Sequence, residues 1–297
     1  MQTGVFSYMK NRYILLFAGF LLLLNVFCWQ EVFILVQSQN LSVYFLDVRQ
    51  GDSIFIETPQ MHQILIDGGP DSSALRELSS FMPFFDRTID LVILTHPEKD
   101  HMQGLIDILQ RYKADYILWT GIKKNASEHS AWLDILQEQK NMGAKIIIAE
   151  SGQRIVAGNV SIDTLHPLTN LENQEPKSTN NTSVVSRLIF EENSFLFTGD
   201  ISSSLEKKLV VQNVNLRSNV LKIAHHGSKY STSEEFLQSV SPKIAVISVG
   251  KNSYGHPTPE VLQKLENFGI HILRTDKDGT IRIESDGNSI KILNNKF

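Results

Sequence analysis

The stretch THPEKDHMQG places His96, Glu98, Asp100 and His101 within six residues, directly after the apolar run DLVILT. Imidazole nitrogens and carboxylate oxygens at this density are donors for a divalent ion such as zinc, manganese or iron. In an extended loop, residues 96, 98 and 100 would project to one side and His101 to the other. Four potential ligands then converge without help from distant chain. Two further apolar runs end in the same chemistry. FLFTGD ends at Asp200, ahead of a helix capped by residues 202–204, and VLKIAHHGS ends at His225 and His226. The competing reading of the first cluster is a polar loop with incidental histidines, and its place straight after a buried strand argues against that. Cys28 is the single cysteine, which excludes an internal disulfide and an all-cysteine metal site, so the nine histidines carry the metal reading.

The elements that must position these residues follow from patterning. With 297 residues, 42% hydrophobic and 20% charged, the chain supports one or two globular domains and is not broadly disordered. A net charge of −4 gives no global basic footprint, so any nucleic-acid binding must be local. Residues 13–29 (YILLFAGFLLLLNVFCW) are apolar apart from Asn25, and the run resumes at 32–36. That approaches the roughly 20 residues of a spanning helix. Lys10 and Arg12 precede it and Glu31 follows, so residues 1–12 are expected as a cytoplasmic tail, 13–36 as a single-pass anchor in the cell membrane, and the rest on the extracytoplasmic side. A cleaved signal peptide fits less well, because the apolar core is long and no small-residue cleavage site follows.

From residue 41 onward, SVYFLDV, SIFIET and MHQILID read as an antiparallel meander, and a helix capped by Ser72 runs to about Met82. DLVILT is a strand buried on both faces. Helices are expected near 104–112 and 128–142, each followed by a strand, then strands around Ile155 and Val160. Residues 169–182 form the most polar loop, and a second set of strands at 184–190, 195–198, 220–224, 244–249, 270–273 and 281–283 alternates with helices. The pattern implies an α/β fold of two packed sheets covered by helices.

Taken together, the blocks FLDVRQGDS, ILIDGG, THPEKDH, NNTSVV, FTGD, LKIAHHGSKYSTS, ISVGKNSYGHP and RTDKDGTI resemble, in order, the exported hydrolase domain of ComEC-type competence proteins, within the metallo-β-lactamase superfamily. The resemblance covers residues 41–297. It implies a four-layer αββα sandwich, two divalent metal ions (zinc or manganese), and hydrolysis of a phosphoester, with a nuclease role in DNA uptake. His96, Glu98, Asp100 and His101 stand in the HxHxDH positions, Asp200 in that of the bridging aspartate, and His225 or His226 in that of the downstream histidine. Asp100 would also orient the attacking water. Asn180 or Asn181 occupies the block of a further histidine, and His256 is a ligand, a proton donor or a cap of the next helix. Asp52 would shape the floor of the site, with Ser53 beside it, and Asp67 would orient a metal-binding histidine. Gly227 and Ser228 would offer donors to a phosphate oxygen, Lys229, Tyr230 and Ser231 would extend the contact, and Tyr254 would offer a stacking face.

Two departures stand out. Glu98 replaces a histidine, and with asparagine in the other block this shifts the donors from nitrogen towards oxygen and the preference towards manganese. Arg49 replaces a glycine, which either strains a turn or brings a cation to the phosphate. Without Lys10, Arg12 and Glu31 the exported part has 28 − 2 = 26 basic and 32 − 1 = 31 acidic residues, a balance of −5 that argues against tight, processive DNA binding. The expected substrate is a phosphoester, with single-stranded DNA supplied by uptake machinery as one form. The alternatives are an esterase for a small or cell-wall phosphoester such as phosphorylcholine, and a catalytically dead binding module.

Overall fold

β-Branched and aromatic runs bounded by glycine and asparagine turns pair into sheets when both faces can be buried. A computed structural model of the chain describes residues 3–36, 40–83, 85–212 and 214–294. Contacts divide it into two units, Met1–Gln39 and Asn40–Phe297. The first is one helix, α1 (Thr3–Val36), whose window Tyr13–Gln30 is long and apolar enough to cross a membrane. It begins inside the stretch expected as a tail, because no proline interrupts the residues between Thr3 and Tyr13.

The second unit runs β1 (Leu41–Phe45), β2 (Ile54–Glu57), β3 (Gln63–Ile66), α2 (Ser73–Phe81), β4 (Thr88–Ile93), α3 (Lys99–Leu109), β5 (Lys113–Trp119), α4 (Ser127–Asn141) and β6 (Lys145–Ile148). It continues with β7 (Arg154–Ala157), β8 (Val160–His166), β9 (Val185–Phe190), β10 (Asn193–Phe197), α5 (Ser203–Val211), β11 (Val220–Lys222), α6 (Glu234–Val240), β12 (Ile244–Ile247), α7 (Pro259–Asn267), β13 (His271–Arg274), α8 (Thr275–Asp278), β14 (Ile281–Ser285) and β15 (Ile290–Asn294).

One sheet has the order β15-β14-β1-β2-β3-β4-β5-β6 and the other β13-β12-β11-β10-β9-β8-β7. Each is antiparallel in one half and parallel in the other, β3 to β6 in the first and β10 to β13 in the second. Phe45, Ile64, Ile93, Phe195, Phe197 and Val246 lie in the core between the sheets. Leu78, Leu105 and Trp132 of α2, α3 and α4 cover the outer face of the first sheet, while Leu205, Phe236 and Leu265 of α5, α6 and α7 cover that of the second. The unit is therefore the expected αββα sandwich, and β4 is buried on both faces, with Ile93 turned inward and Val92 outward.

Local differences from the sequence reading bear on the site. The helix expected near 104–112 starts at Lys99, so Asp100 and His101 lie in its first turn rather than in an extended loop. Glu98 is extended (φ −91°, ψ 152°), and its carbonyl accepts from Met102 N–H at 2.9 Å to open the helix. Gly104 is inside the helix because of crowding: a Cβ there would sit 1.9 Å from the Gly68 carbonyl oxygen, and one at Gly68 would sit 2.2 Å from Leu105 nitrogen. Gly68 N–H donates to His101 O (2.7 Å) and Gly104 N–H to Gly69 O (3.0 Å), so the loop after β3 is laced directly onto α3.

Ser72 makes no capping bond. Asp71 does the work, accepting from Ser73 N–H (2.8 Å) and its hydroxyl (2.6 Å). Ser202 also makes no cap bond, and the polar stretch 169–182 forms only a 3-10 turn, Asn180–Thr182, at its end. β15 was not read from sequence, since Asp286, Asn288 and Ser289 hide a hairpin turn before it.

Gly104→Ala drives a methyl group into backbone that cannot swing away. The expected cost is about 2 kcal/mol or more in denaturant unfolding, with weakened metal binding because α3 carries Asp100 and His101. A variant with wild-type stability would show that this close approach is not needed.

Candidate metal centre

Ligand sites in open sheets form beyond the carboxyl ends of parallel strands, where loops leave and side chains are free to converge. Five such ends meet here. Asp67 follows β3, Thr95 and His96 follow β4, Asp200 follows β10, His225 and His226 follow β11, and Ser248 follows β12. Val184 N–H donates to Thr95 O at 2.9 Å, joining the loops of the two sheets at this edge.

Each buried imidazole is oriented through one nitrogen. His101 Nδ1–H donates to Asp67 Oδ2 at 2.8 Å, and Asp67 is itself held by Thr95 N–H (2.8 Å) and Oγ1–H (2.7 Å). His226 Nδ1–H donates to Ser248 O at 2.8 Å. His96 Nδ1 lies 3.0 Å from Thr95 Oγ1 and 3.3 Å from Ser183 Oγ. The opposite nitrogens then face one another and the carboxylates: His101 Nε2 is 3.4 Å from Asp200 Oδ2, and His226 Nε2 is 3.3 Å from Asp100 Oδ2 and 3.6 Å from Asp200 Oδ2.

The residues present fit a divalent ion. His96 Nε2, His101 Nε2, His226 Nε2, Asp52 Oδ1 and Asp200 Oδ1 are buried with no hydrogen-bond partner among the described residues, an expensive arrangement without a cation between them. Four sets among the described residues bring donor atoms within 4.8 Å of one another: Asp100, His101 and His226; His96, His101 and Asp200; Asp52, Asp200 and His226; and Asp52, Asp67 and His101. The chain's edge of the sandwich thus gathers what a metal centre needs from both sheets.

Electrostatics agree with the geometry. Burial disfavours charge on every group, yet the neighbouring imidazoles and Lys222 hold Asp200 well below the ordinary carboxylate range, and Asp100 is lowered by His101 and His226. Burial opposes protonation of His226, but Asp200 and contacts with Asp100 and Asp52 push it up to about 10, and His101 is raised for the same reason. His96 goes the other way: burial and the charge on His101 lower it to about 3, leaving a neutral ring. Asp67 is raised by burial despite its bond to His101.

The remaining expected residues divide sharply. His226 is buried in the cluster, whereas His225 is on the rim, with Nε2 3.9 Å from Asp200 Oδ2 and 3.5 Å from Asn180 Nδ2. The separation comes from consecutive left-handed residues, His225 at φ 51° and His226 at φ 54°, a conformation costing about 1–2 kcal/mol per residue and tolerated where a site demands it. Asn180 lines the cavity in front of the cluster, while Asn181 turns away to accept from Ser202 N–H at 3.0 Å. Glu98 lines that cavity, but its carboxylate pairs with Lys124 Nζ at 2.8 Å and accepts from Thr179 Oγ1, and it belongs to none of the close sets. This departs from the expectation of four convergent ligands in 96–101, because Glu98 ends the extended segment just before α3.

Asp52 lies under the cluster, and Ser53 Oγ–H donates to Asp67 O at 3.1 Å. Ser228 is committed to its own turn: its N–H donates to His225 O (2.9 Å) and its Oγ accepts from Tyr230 N–H (3.3 Å). Gly227 O accepts from Thr258 N–H, and Thr258, not His256, holds the capping position of α7. His256 lines the cavity, its Nδ1 without a hydrogen-bond partner among the described residues, and Tyr254 stands at its rim. Arg49 does adopt the left-handed conformation (φ 67°), yet its guanidinium pairs with Asp71 at 3.4 Å rather than facing the cluster.

Lys222 was missed by sequence reasoning. It is buried, ion-paired with Asp52, 3.8 Å from Asp200 Oδ1, and donates to Gly199 O at 3.2 Å. Burial opposes its charge, but Asp52 and Asp200 more than compensate and raise it. A lysine inside the apolar run VLKIA was the available signal. Ser183 was missed too: its hydroxyl oxygen accepts from Asp200 N–H at 3.0 Å while contacting His96.

A four-layer sandwich with an imidazole–carboxylate cluster at one sheet edge defines the metal-dependent hydrolase fold. Residues 46–251 match the model of the metallo-beta-lactamase superfamily, and the chain belongs to that superfamily. It is 33% identical to ComE operon protein 3 of Bacillus subtilis, over 81% of this chain and 32% of that protein. It is 27% identical to competence protein ComA of Neisseria gonorrhoeae, over 83% of this chain and 33% of that one. The chain thus spans about a third of the length of these relatives. Among solved structures, the diiron β-hydroxylase CmlA of Streptomyces venezuelae superposes with a TM-score of 0.52 at 14% identity, covering 86% of this chain and 54% of that one, a likeness of fold alone.

Two outcomes follow for the metal-stripped protein. Metal must displace protons from His226 and His101, so its affinity is expected to weaken as pH falls below about 10, with at least about one proton released per ion near pH 7. Calorimetry in buffers of different ionisation enthalpy checks this, and zero proton release contradicts it. Lys222→Met leaves Asp52 and Asp200 without their cation and should cost about 3 kcal/mol or more in chemical denaturation. An unchanged unfolding midpoint would show the pair to be dispensable.

Proposed function

We propose that the chain is a membrane-anchored, metal-dependent phosphodiesterase acting as a ComEC-like nuclease on the extracytoplasmic side. The observation that carries this reading is the convergence of Asp100, His226 and Asp200, drawn from both sheets to line one open cavity of about 220 Å³, with His101 buried against them. The name of the relative from Neisseria gonorrhoeae, which speaks of competence, favours DNA over other phosphoesters.

Divalent ions held there would polarise a phosphoryl oxygen and supply a nucleophilic water at neutral pH. Asp100, His101 and His226 would hold one ion, and His96 and Asp200 a second, with Glu98 or Asn180 completing it from the cavity wall. Zinc and manganese both suit this mixed set, and its oxygen share favours manganese. Asp100 would orient the water. His225 and His256 stay neutral near pH 7, lowered by burial and by nearby imidazolium charge, and would contact the leaving oxygen from the rim. Helix α1, with Lys10 and Arg12 ahead of its apolar window, would anchor the protein with its N-terminus in the cytoplasm.

The test is hydrolysis of bis(p-nitrophenyl) phosphate and of single-stranded and plasmid DNA, with manganese or zinc added to stripped protein. Asp200→Asn and Asp100→Ala should each lower kcat/KM by about 100-fold or more. Turnover unaffected by either substitution, or absent with every metal, would overturn the assignment.

A further inference from the structure

The metal-facing cavity continues outward into a second hollow of about 490 Å³, and the two share His225, Tyr254 and His256 as a common wall. Rings run in series from the buried centre to the surface. Centroids of His226 and His225 are 6.2 Å apart, those of His225 and His256 5.6 Å, and those of His256 and Tyr254 5.8 Å. Tyr230 lines the same hollow, with Lys229 Nζ 5.2 Å from its ring centroid. Tyr254 is 73% exposed and Tyr230 67%.

Both rings stand on pinned backbone. Asn252 accepts from the N–H groups of Tyr254 and His256 (3.1 Å each) and donates to His256 O and Gly250 O. Tyr230 O accepts from Ser203 N–H at 2.8 Å, and Tyr230 N–H donates to Ser228 Oγ. Two exposed aromatic side chains on backbone anchored beside a metal-type centre offer their faces to a flat ligand. The charge of the hollow does not select a ligand held by charge alone. Lys229 is offset by Glu260 on the same wall, so a polyanion gains little net attraction. A quaternary ammonium group would meet Lys229 at the Tyr230 ring.

The geometry points to a nucleobase subsite: the base next to the scissile phosphate of an unpaired strand stacks on Tyr254, with Tyr230 as a second platform. This rests on the phosphodiester reading and adds to it a demand for unpaired bases, because bases in a duplex are already stacked on both faces. Stacking rather than counterion release then supplies the affinity, in keeping with the −5 balance beyond the N-terminal helix.

The experiment measures binding of fluorescent oligothymidylate to the full chain in detergent, stripped of metal so that nothing is cleaved. A strand of the same length with abasic sugars carries the same phosphates without bases. Wild type should bind the base-bearing strand at least about fivefold more tightly, and Tyr254→Ala should shrink that ratio about fivefold, whereas Tyr254→Phe keeps it. Raising salt from about 50 to about 200 mM should cost less than about tenfold, against the thousandfold or more of a multi-phosphate track. Equal affinity for the two strands, or an unchanged ratio in a folded Tyr230→Ala, Tyr254→Ala double variant, overturns the subsite. Cleavage of bis(p-nitrophenyl) phosphate by a protein without base preference overturns the subsite alone, and base preference without cleavage of any phosphodiester overturns the reading on which it rests.

Discussion

Buried negative charge at the joint edge of two sheets is the constraint around which the rest of the domain is arranged. Asp52, Asp67 and Asp200 are almost wholly buried, and Asp100 opens on the cavity above them. Carboxylates so close in a low-dielectric interior repel one another and must be matched by cations. Lys222 provides one permanent charge from below, and His101 and His226 share protons with the carboxylates from the sides. Donor atoms left without partners face the remaining space. Such a cluster is costly for a protein that does not bind cations and economical for one that does.

Meeting that constraint takes backbone precision more than side-chain choice. The half-parallel layout of both sheets sends five loops to a single edge, but the loops are steered by contacts between main chains. The Gly68–Gly69 turn lies directly on α3, and Asp52 N–H donates to Asp100 O at 3.1 Å, so that these segments are tied main chain to main chain. The paired left-handed histidines at 225 and 226 show the same priority, since strain is accepted to turn one ring inward and its neighbour outward.

That outward turn divides the region into a charged floor and an aromatic approach. Below, the buried rings each use one nitrogen to fix orientation and leave the other free. Above, His225, His256 and Tyr254 grade from half-buried to exposed and contain no basic track. An acidic domain whose approach is lined by rings is in keeping with the proposed base subsite, which recognises its ligand through a flat face rather than through charge.

Much of this was legible from residue types alone. Apolar runs ending in histidine and aspartate announced both the strands and their tips, and Asp67, His96 and Asp200 follow their strands as those runs place them, whereas Asp100 and His101 lie in the first turn of α3. Local sequence also carried the packed sheets, since DLVILT has no polar face to show to water. What it did not carry were choices made by distant partners. Whether Glu98 turns to the centre or to Lys124 depends on a loop 26 residues away (124 − 98 = 26). The same holds for Asn180 against Asn181 and for His226 against His225, where neighbouring residues of the same type are told apart only by which one the opposite sheet can reach. Lys222 reads as an interruption of a strand until Asp52, brought from the other sheet, explains its charge. Residue type determined which chemistry was available. Packing of the two sheets decided which atoms share a space, because electrostatic and hydrogen-bond energies depend on distances that only the folded chain sets.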